Sequence, residues 1–416
     1  MDVVKKRIVR ISPKNPSLQR IEERCINCGM CLITCEMQTG IDHAQESKDN
    51  PLCINCGQCI LHCPVGALCT KYNYKRVLNV LKDTKKRVAL SFAPAIRVSL
   101  ASEFGIEEAT NLESILPTIA RKLGFDYVFD VTFGADVTIM EEASELINRL
   151  EKNDSLPMFT SCCPAWVKYA KLFHPELLPN ISTTKSPIAI QSTLIKTYFK
   201  EINNITEKII SVVVAPCTAK KYEIKNSDTD YIITTQELAM MIRESNIDIT
   251  NLLPSKFDAL LGKGSKAGTN FGRSGGVMTS ALSYVYYLIN KKDAPKDYFN
   301  IEIEDGITKK SFKLGEKIIN IAIISGMKNL EELLLEMHNF DFIEVMNCPN
   351  GCVGGGGQPL IPIKDLDDAY KKRSEALKSE ESKVDCCYQN KEIIELYSSY
   401  LDKPNSKKAE NLLHNS

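Results

Sequence analysis

The chain has 416 residues, 44% apolar and 25% charged, enough for more than one hydrophobic core and too apolar to stay disordered. Its 52 Lys plus Arg balance 52 Asp plus Glu, so no global field favours nucleic acid or an anionic membrane. No run of 18 apolar residues exists, and the opening MDVVKKRIVRISPKNPSLQ is basic without an apolar core, so a membrane span and a secretory leader are not expected and the cytoplasm is.

Of the 16 cysteines, nine lie between Cys25 and Cys69. In a large chain with no expected leader this density points to metal binding rather than disulfides, and scattered buried thiols do not account for it. Residues 25–35, CINCGMCLITC, recur at 53–63 as CINCGQCILHC, every cysteine displaced by 28 positions. The second copy continues into Cys63-Pro64, completing the C-x2-C-x2-C-x3-C-P run of two-cluster ferredoxins, in which the fourth cysteine ligates the other cluster. Three thiolates on a tight loop hold one face of an iron–sulfur cube, and the fourth comes from the opposite repeat. One [4Fe-4S] cluster is thereby assigned to Cys25, Cys28, Cys31 and Cys63, the other to Cys53, Cys56, Cys59 and Cys35. Zinc is the alternative, but its motifs usually place a longer spacer between the cysteine pairs. Cys35 precedes Glu36 rather than proline, and Cys69 fits no ligand position and is expected to be structural.

A basic stretch from Lys71 to Lys86 leads into a different composition. VALSF (88–92), YVFDV (127–131), PMFT (157–160), IISVVVA (209–215) and FIEVM (342–346) read as buried strands, with helical periodicity at 137–150 and 233–244 between them. The alternation predicts an α/β fold around largely parallel sheets, preceded by a small α+β module. A polar helical segment follows from about 361, in which Asn390 is a candidate helix cap. The expected division is 1–78, 79–360 and 361–416.

Three further motifs each follow a predicted strand: TSCCPAW (160–166), APCTAKKYE (215–223) and EVMNCPNGCVGGGGQP (344–359). In open α/β sheets ligands bind at the carboxyl ends of strands, so cysteines from these loops can converge on one cofactor. Gly354 to Gly357 would let backbone approach a bulky centre closely. The run lacks the Lys-Ser/Thr of a phosphate loop, and Gly262-x-Gly264-x-x-Ala267 mimics a dinucleotide fingerprint without a clear strand before it.

Together the three motifs resemble the H-cluster signatures of the [FeFe]-hydrogenases, and the resemblance runs from the cysteine repeat to the tail KAENLLH. It implies an H-cluster domain of two lobes. Its [4Fe-4S] cube would be held by Cys163, Cys217, Cys348 and Cys352, with Cys352 bridging to a two-iron subsite that carries CO, cyanide and dithiolate ligands. It further implies that Lys220 contacts a cyanide and that Cys162 hands protons to the dithiolate amine. Glu142, Glu145 and Arg149, at i, i+3 and i+7 on one helix face, match the family's proton relay together with Ser182. Without the resemblance the same helix would read as an exposed acidic face with a Glu145–Arg149 pair. Pro94, Ser186, Phe271 and Met346 match pocket-wall residues. The implied reaction is reversible conversion of protons and electrons to dihydrogen, with ferredoxin or a similar soluble carrier as electron partner and maturation proteins supplying the two-iron subsite.

Ala215 stands where many members carry Met, Ala165 where Gly is common, and Ile188 where Gln is frequent. Two rival functions follow from the same residues: a hydrogen-responsive sensor of low turnover, which Cys162 counts against, and a non-catalytic iron–sulfur carrier, which the intact Cys162-Cys163-Pro164 and Lys220 count against. The vicinal Cys386-Cys387 matches no site.

Overall fold

The computed structural model describes residues 7–46, 51–303, 306–382 and 384–415. The first six residues of the opening stretch read as leaderless therefore fall outside it.

The N-terminal module holds strand β1 (Leu18–Arg20) paired antiparallel with β2 (Leu68–Thr70), and helices α1 (Met30–Thr39) and α2 (Gln58–Leu61). Each helix starts after the same Asn-Cys-Gly turn. Asn27 and Asn55 have φ of 55° and 69°, and Gly29 and Gly57 have φ of 83° and 77°. Asparagine and glycine tolerate this left-handed backbone at little cost, which is why the turn can repeat.

Helix α3 (Tyr74–Val80) follows, then β3 (Lys86–Phe92), α4 (Leu116–Leu123), β4 (Tyr127–Asp130) and α5 (Thr132–Lys152). Next come β5 (Met158–Phe159), α6 (Pro164–Phe173), α7 (Pro187–Leu194), β6 (Lys208–Ala215) and β7 (Tyr231–Thr234). The last strands are β8 (Gly306–Leu314), β9 (Lys317–Ser325) and β10 (Phe342–Met346). One four-stranded sheet, ordered β4-β3-β6-β7, is wholly parallel; the other, β5-β10-β9-β8, is parallel but for the β8–β9 hairpin. The architecture is thus α/β, two lobes around largely parallel sheets.

Side chains alternate across each sheet, as the pleat requires. Val88, Leu90 and Phe92 of β3 enter the outer core of the first lobe, whereas Ala89 faces the central core. On β9, Ile321 and Ile323 face that same central core, and Ala322 and Ile324 the outer core of the second lobe. The two lobes therefore share one core, and α5 lies in it. Residues 132–143 of α5 are buried on every side, so its first half has no polar face and its helical period becomes visible only from about 137. The helix expected at 233–244 begins at Thr235, where Thr234 and Glu237 form a capping box. The hairpin β8–β9 and strand β7 were not expected. Exposed Lys309, Lys310 and Lys313 leave β8 without a clean period of two, and its strand character comes from pairing with β9.

The C-terminal segment is helical at Leu366–Ser379, Lys391–Leu396 and Lys407–Leu413, and Asn390 caps the second of these through the Glu392 N–H. Ile393, Leu396, Leu401 and Leu413 enter the central core. Helix α3, across which the expected boundary at residue 78 falls, packs Val77 into the outer core of the first lobe. Beside it, Lys221 Nζ lies 2.5 Å from Glu237 Oε2 and donates to Lys71 O at 2.6 Å, while Glu237 also accepts the Asn73 and Tyr74 N–H groups. Both charges are fully buried, so removing one strands the other. Lys221→Met is expected to destabilise the protein by about 3–5 kcal/mol in denaturant unfolding, and adding Glu237→Leu to recover little of it, because the Asn73, Tyr74 and Thr234 N–H groups then lose their acceptor.

Candidate active site

Three strand ends meet at one cavity. β5 delivers Cys162 and Cys163, β6 delivers Ala215, Cys217 and Lys220, and β10 delivers Met346, Asn347, Cys348 and Cys352. The end of β3 adds Pro94, and Phe271 closes another side. Among the described residues Lys220 is the one basic side chain in a wall that is otherwise almost entirely apolar. Each motif is locked by its own bonds. Thr160 O accepts the indole N–H of the fully buried Trp166 at 3.1 Å, and Thr160 Oγ1 accepts the Val345 N–H at 3.3 Å, which joins the Cys162-Cys163 turn to β10. Pro164 opens α6 directly after Cys163. Gly351, with φ of 89°, has no room for a side chain against the backbone of Arg273 and Ser274, and so shapes the turn between Cys348 and Cys352.

Burial, then mutual charge, pushes the thiol of Cys217 up to about 11 and that of Cys352 up to about 12, and Cys348 well above its ordinary value. Cys163 contributes to each of these shifts, so the four sulfurs form one electrostatic group. Such a set is costly to ionise unless cations lie among the sulfurs. Lys220 meets the opposite balance. Burial works against its charge, but Glu223 at 2.7 Å and the neighbouring Cys217 and Cys162 outweigh it and keep the ammonium above its ordinary value. Glu223 was missed in the sequence. It sits one turn after Lys220, and its second oxygen accepts the Ser186 hydroxyl. Ser186 is therefore not in the cavity wall as expected, because its hydroxyl is turned to Glu223 while Pro187 and Ile188 line the cavity.

The cysteine repeat lies behind this site. Cys25, Cys28, Cys31 and Cys63 line one small cavity, with the Val9 and Ala67 N–H groups on the sulfurs of Cys31 and Cys63 at 3.4 and 3.3 Å. Cys35, Cys53, Cys56 and Cys59 form a second group: burial first, then the others' charges, raises the thiols of Cys35 and Cys59. Cys69 stands apart on β2, where Gln19 Nε2 bonds its sulfur. Among the described residues no three His, Cys, Asp or Glu close on a point as ligands of a single ion would.

The second repeat touches the three-strand site directly. Thr218 Oγ1 donates to Asn55 O at 2.7 Å, Gln58 Nε2 to Gly354 O at 2.8 Å, and Asn347 reaches the sulfurs of both Cys56 and Cys348. The glycine run makes this approach possible, mainly toward protein backbone rather than a bulky centre. A Cβ on Gly356 would overlap Cys56 and Gly57, and one on Gly355 would overlap Pro216 O. Gly264 and Gly268, near the loose dinucleotide pattern, pack against Thr132 of α5.

On α5, Arg149 Nη2 donates to Glu145 Oε1 and Ser182 Oγ to Glu145 Oε2, both at 2.7 Å. Glu142 is fully buried, accepts the Ser161 N–H at 3.2 Å through one oxygen and leaves the other without a partner. Burial and the nearby Glu145 push its carboxyl up to about 8, so it holds a proton at neutral pH. Its charge, when present, raises the Cys162 thiol further, after burial itself.

Comparison with known proteins gives this arrangement its family. The family model for the C-terminal domain of the iron only hydrogenase large subunit matches residues 86–356, that for the iron hydrogenase small subunit matches 367–416, and that for a 4Fe-4S binding domain matches 47–69. The chain belongs to the iron-only hydrogenase family. Iron hydrogenase 1 of Clostridium pasteurianum is 37% identical over 437 residues, covering 97% of this chain and 76% of that protein. A solved apo [FeFe]-hydrogenase from Chlamydomonas reinhardtii matches with a TM-score of 0.72 and 32% identity, over 83% of this chain and 98% of that one. A cytosolic Fe-S cluster assembly factor of Danio rerio is 30% identical over 83% of this chain and 92% of its own length.

With these domains come their cofactors, [4Fe-4S] clusters and the H-cluster, and the chemistry of the donor set fits them, since the chain offers three groups of four cysteine sulfurs. Against the iron-only hydrogenase pattern, Ala215 and Ile188 do line the cavity, whereas Ala165 packs beside Trp166 in the outer core of the second lobe. Gly356→Ala is expected to push the second repeat away from the site. Cluster content is expected to stay at the parental level by iron analysis, with reduction through the N-terminal clusters slowed at least about tenfold in stopped-flow, because the added Cβ meets backbone that cannot yield.

Proposed function

We propose that this chain is an [FeFe]-hydrogenase that interconverts protons and electrons with dihydrogen, exchanging electrons with a ferredoxin-type soluble carrier in the cytoplasm. The observation that carries the reading is the meeting of Cys162, Cys163, Cys217, Cys348, Cys352 and Lys220 around one enclosed apolar cavity, with the Cys56 loop packed behind it. In the residue-level proposal Cys163, Cys217, Cys348 and Cys352 would hold the H-cluster. Cys25, Cys28, Cys31 and Cys63 hold one N-terminal cluster, and Cys35, Cys53, Cys56 and Cys59 the other. The proposed division of the chain is 1–78, 79–360 and 361–416. When bound, the H-cluster supplies the redox chemistry and the open metal position; the protein supplies position, charge and access.

The residues do the following. Lys220, made a firm cation by Glu223, faces the anionic side of the subsite. Arg149 and Glu145 take protons from the surface, Ser182 passes them inward, and Glu142, neutral at pH 7, is both donor and acceptor next to Cys162. The Ser182 hydroxyl rotates from Glu145 to Glu142 to complete the step, since it donates to only one carboxylate at a time. Pro94, Phe271 and Met346 keep water from the cavity. Ala215 and Ile188 leave its wall smaller and less polar than a Met and Gln would, which tunes the potential rather than the ligand set.

The Fe-S assembly relative favours a non-catalytic carrier as the second reading. Anaerobic infrared spectroscopy after maturation separates the two: CO and cyanide bands with hydrogen evolution from a reduced dye are expected, bands without turnover point to a sensor, and no bands in competently matured protein to the carrier. Cys162→Ala is expected to cut turnover by at least about a hundredfold while keeping the bands, the scale of a lost proton-transfer group. Glu223→Gln is expected to shift the cyanide bands, because Lys220 loses its counter-charge, while the CO bands move less.

A further inference from the structure

Glu141 precedes the relay residue Glu142 on α5 and stands one turn before Glu145. It is fully buried, and the relay above does not use it. Its carboxylate accepts the Tyr397 hydroxyl at 2.6 Å and the Asn405 N–H at 2.7 Å, and His414 Nε2 lies 3.0 Å away. A carboxylate is an acceptor only, so Nε2 carries the hydrogen. The other ring nitrogen, Nδ1, lies 2.8 Å from Thr183 Oγ1. Thr183 in turn donates its N–H to both oxygens of Glu145, at 3.2 and 3.1 Å.

Backbone pairing adds to this link. The Lys185 N–H donates to Leu413 O at 2.8 Å, the Asn415 N–H donates to Thr183 O at 2.7 Å, and Thr184 and His414 form an antiparallel bridge. The tail thus lies along residues 183–185 as a short added strand, and Thr183, which is otherwise exposed, is held from one side by His414 and from the other by Glu145.

We propose that His414 is a positioning residue for the proton relay: spanning Glu141 and Thr183, it holds segment 182–184 in place so that the Ser182 hydroxyl and the Thr183 N–H both stay on Glu145. The inference rests on the hydrogenase reading and deepens it. Proton transfer needs donor and acceptor within about 2.6–3.2 Å, so a segment free to drift on its outer side loses the transfer geometry before it loses its fold. Among the described residues the side-chain contacts of His414 run to Glu141 and Thr183, so the effect runs through Thr183, Glu145 and Ser182.

The test uses the matured holoenzyme. In His414→Ala, hydrogen evolution at saturating reduced dye is expected to fall about tenfold, the scale of a modest misplacement of reacting groups. The solvent deuterium isotope effect on turnover is expected to rise, because proton delivery then limits the rate, and the CO and cyanide bands are expected to stay unchanged. His414→Gln, which retains a donor toward Glu141, is expected to recover most of the rate. Thr183→Val removes only the hydroxyl link and is expected to reproduce the isotope effect; it decides the matter if His414→Ala does not fold. Parental rate and isotope effect in Thr183→Val and His414→Ala overturn the proposal, as does loss of the infrared bands together with the rate, which marks a purely structural role. A parental protein with bands and no turnover in either direction overturns the hydrogenase reading itself, and the inference with it.

Discussion

Thiolates buried together repel one another and lose their hydration, and everything in this molecule is arranged around that cost. Cys163, Cys217, Cys348 and Cys352 line one apolar cavity, where burial and then neighbouring sulfurs raise the resistance of Cys217, Cys348 and Cys352 to ionisation. Only cations placed among the sulfurs relieve it. The fold's task is to bring the sulfurs from three distant loops without letting water follow. Parallel sheets do this well, since their carboxyl ends open at the same side and the loops there are free to differ.

The position of that enclosure between two lobes has consequences for traffic. Helix α5 runs through the shared core, presenting Ala135 to the cavity and carrying Glu142, Glu145 and Arg149 further along its length. On the other side the Cys56 turn is pressed onto Gly356 and Thr218, so the second repeat meets the three-strand site largely through backbone.

The buried carboxylates divide by their partners. Glu237 is matched by Lys221, Glu145 by Arg149, and Glu223 by Lys220. Glu344 instead accepts two N–H groups at the start of the helix Gly276–Asn290, at 2.7 Å each, and helps to anchor β10 beside the cysteines. Among the described carboxylates, Glu142 alone combines full burial with an unpartnered oxygen. The relay proposed for Glu142 asks for a group that takes and gives a proton, which a cation held against it would oppose.

Much of this was legible in the residues themselves. The doubled CINCG run, the five buried strands and the three post-strand motifs are local patterns, and local patterns survive in a sequence because turn chemistry and alternation act over a few residues. Other features were invisible for the opposite reason. The strand at Gly306–Leu314 exists because Lys317–Ser325 pairs with it, the first half of α5 hides its period by being buried all round, and Glu223 gains meaning only from Lys220 and Ser186 at its two oxygens. The glycine run read as room for a cofactor, but at all four of its members a side chain would meet neighbouring protein atoms. By itself the sequence determined which side chains hold chemistry and which strands carry them to the sheet ends, because these depend on residue type and short spacing. Only the tertiary structure decided which thiols share a cavity, that the second repeat lies against it, and that a histidine near the tail bridges Glu141 and Thr183, because each is a contact between segments far apart in the chain that no local preference encodes.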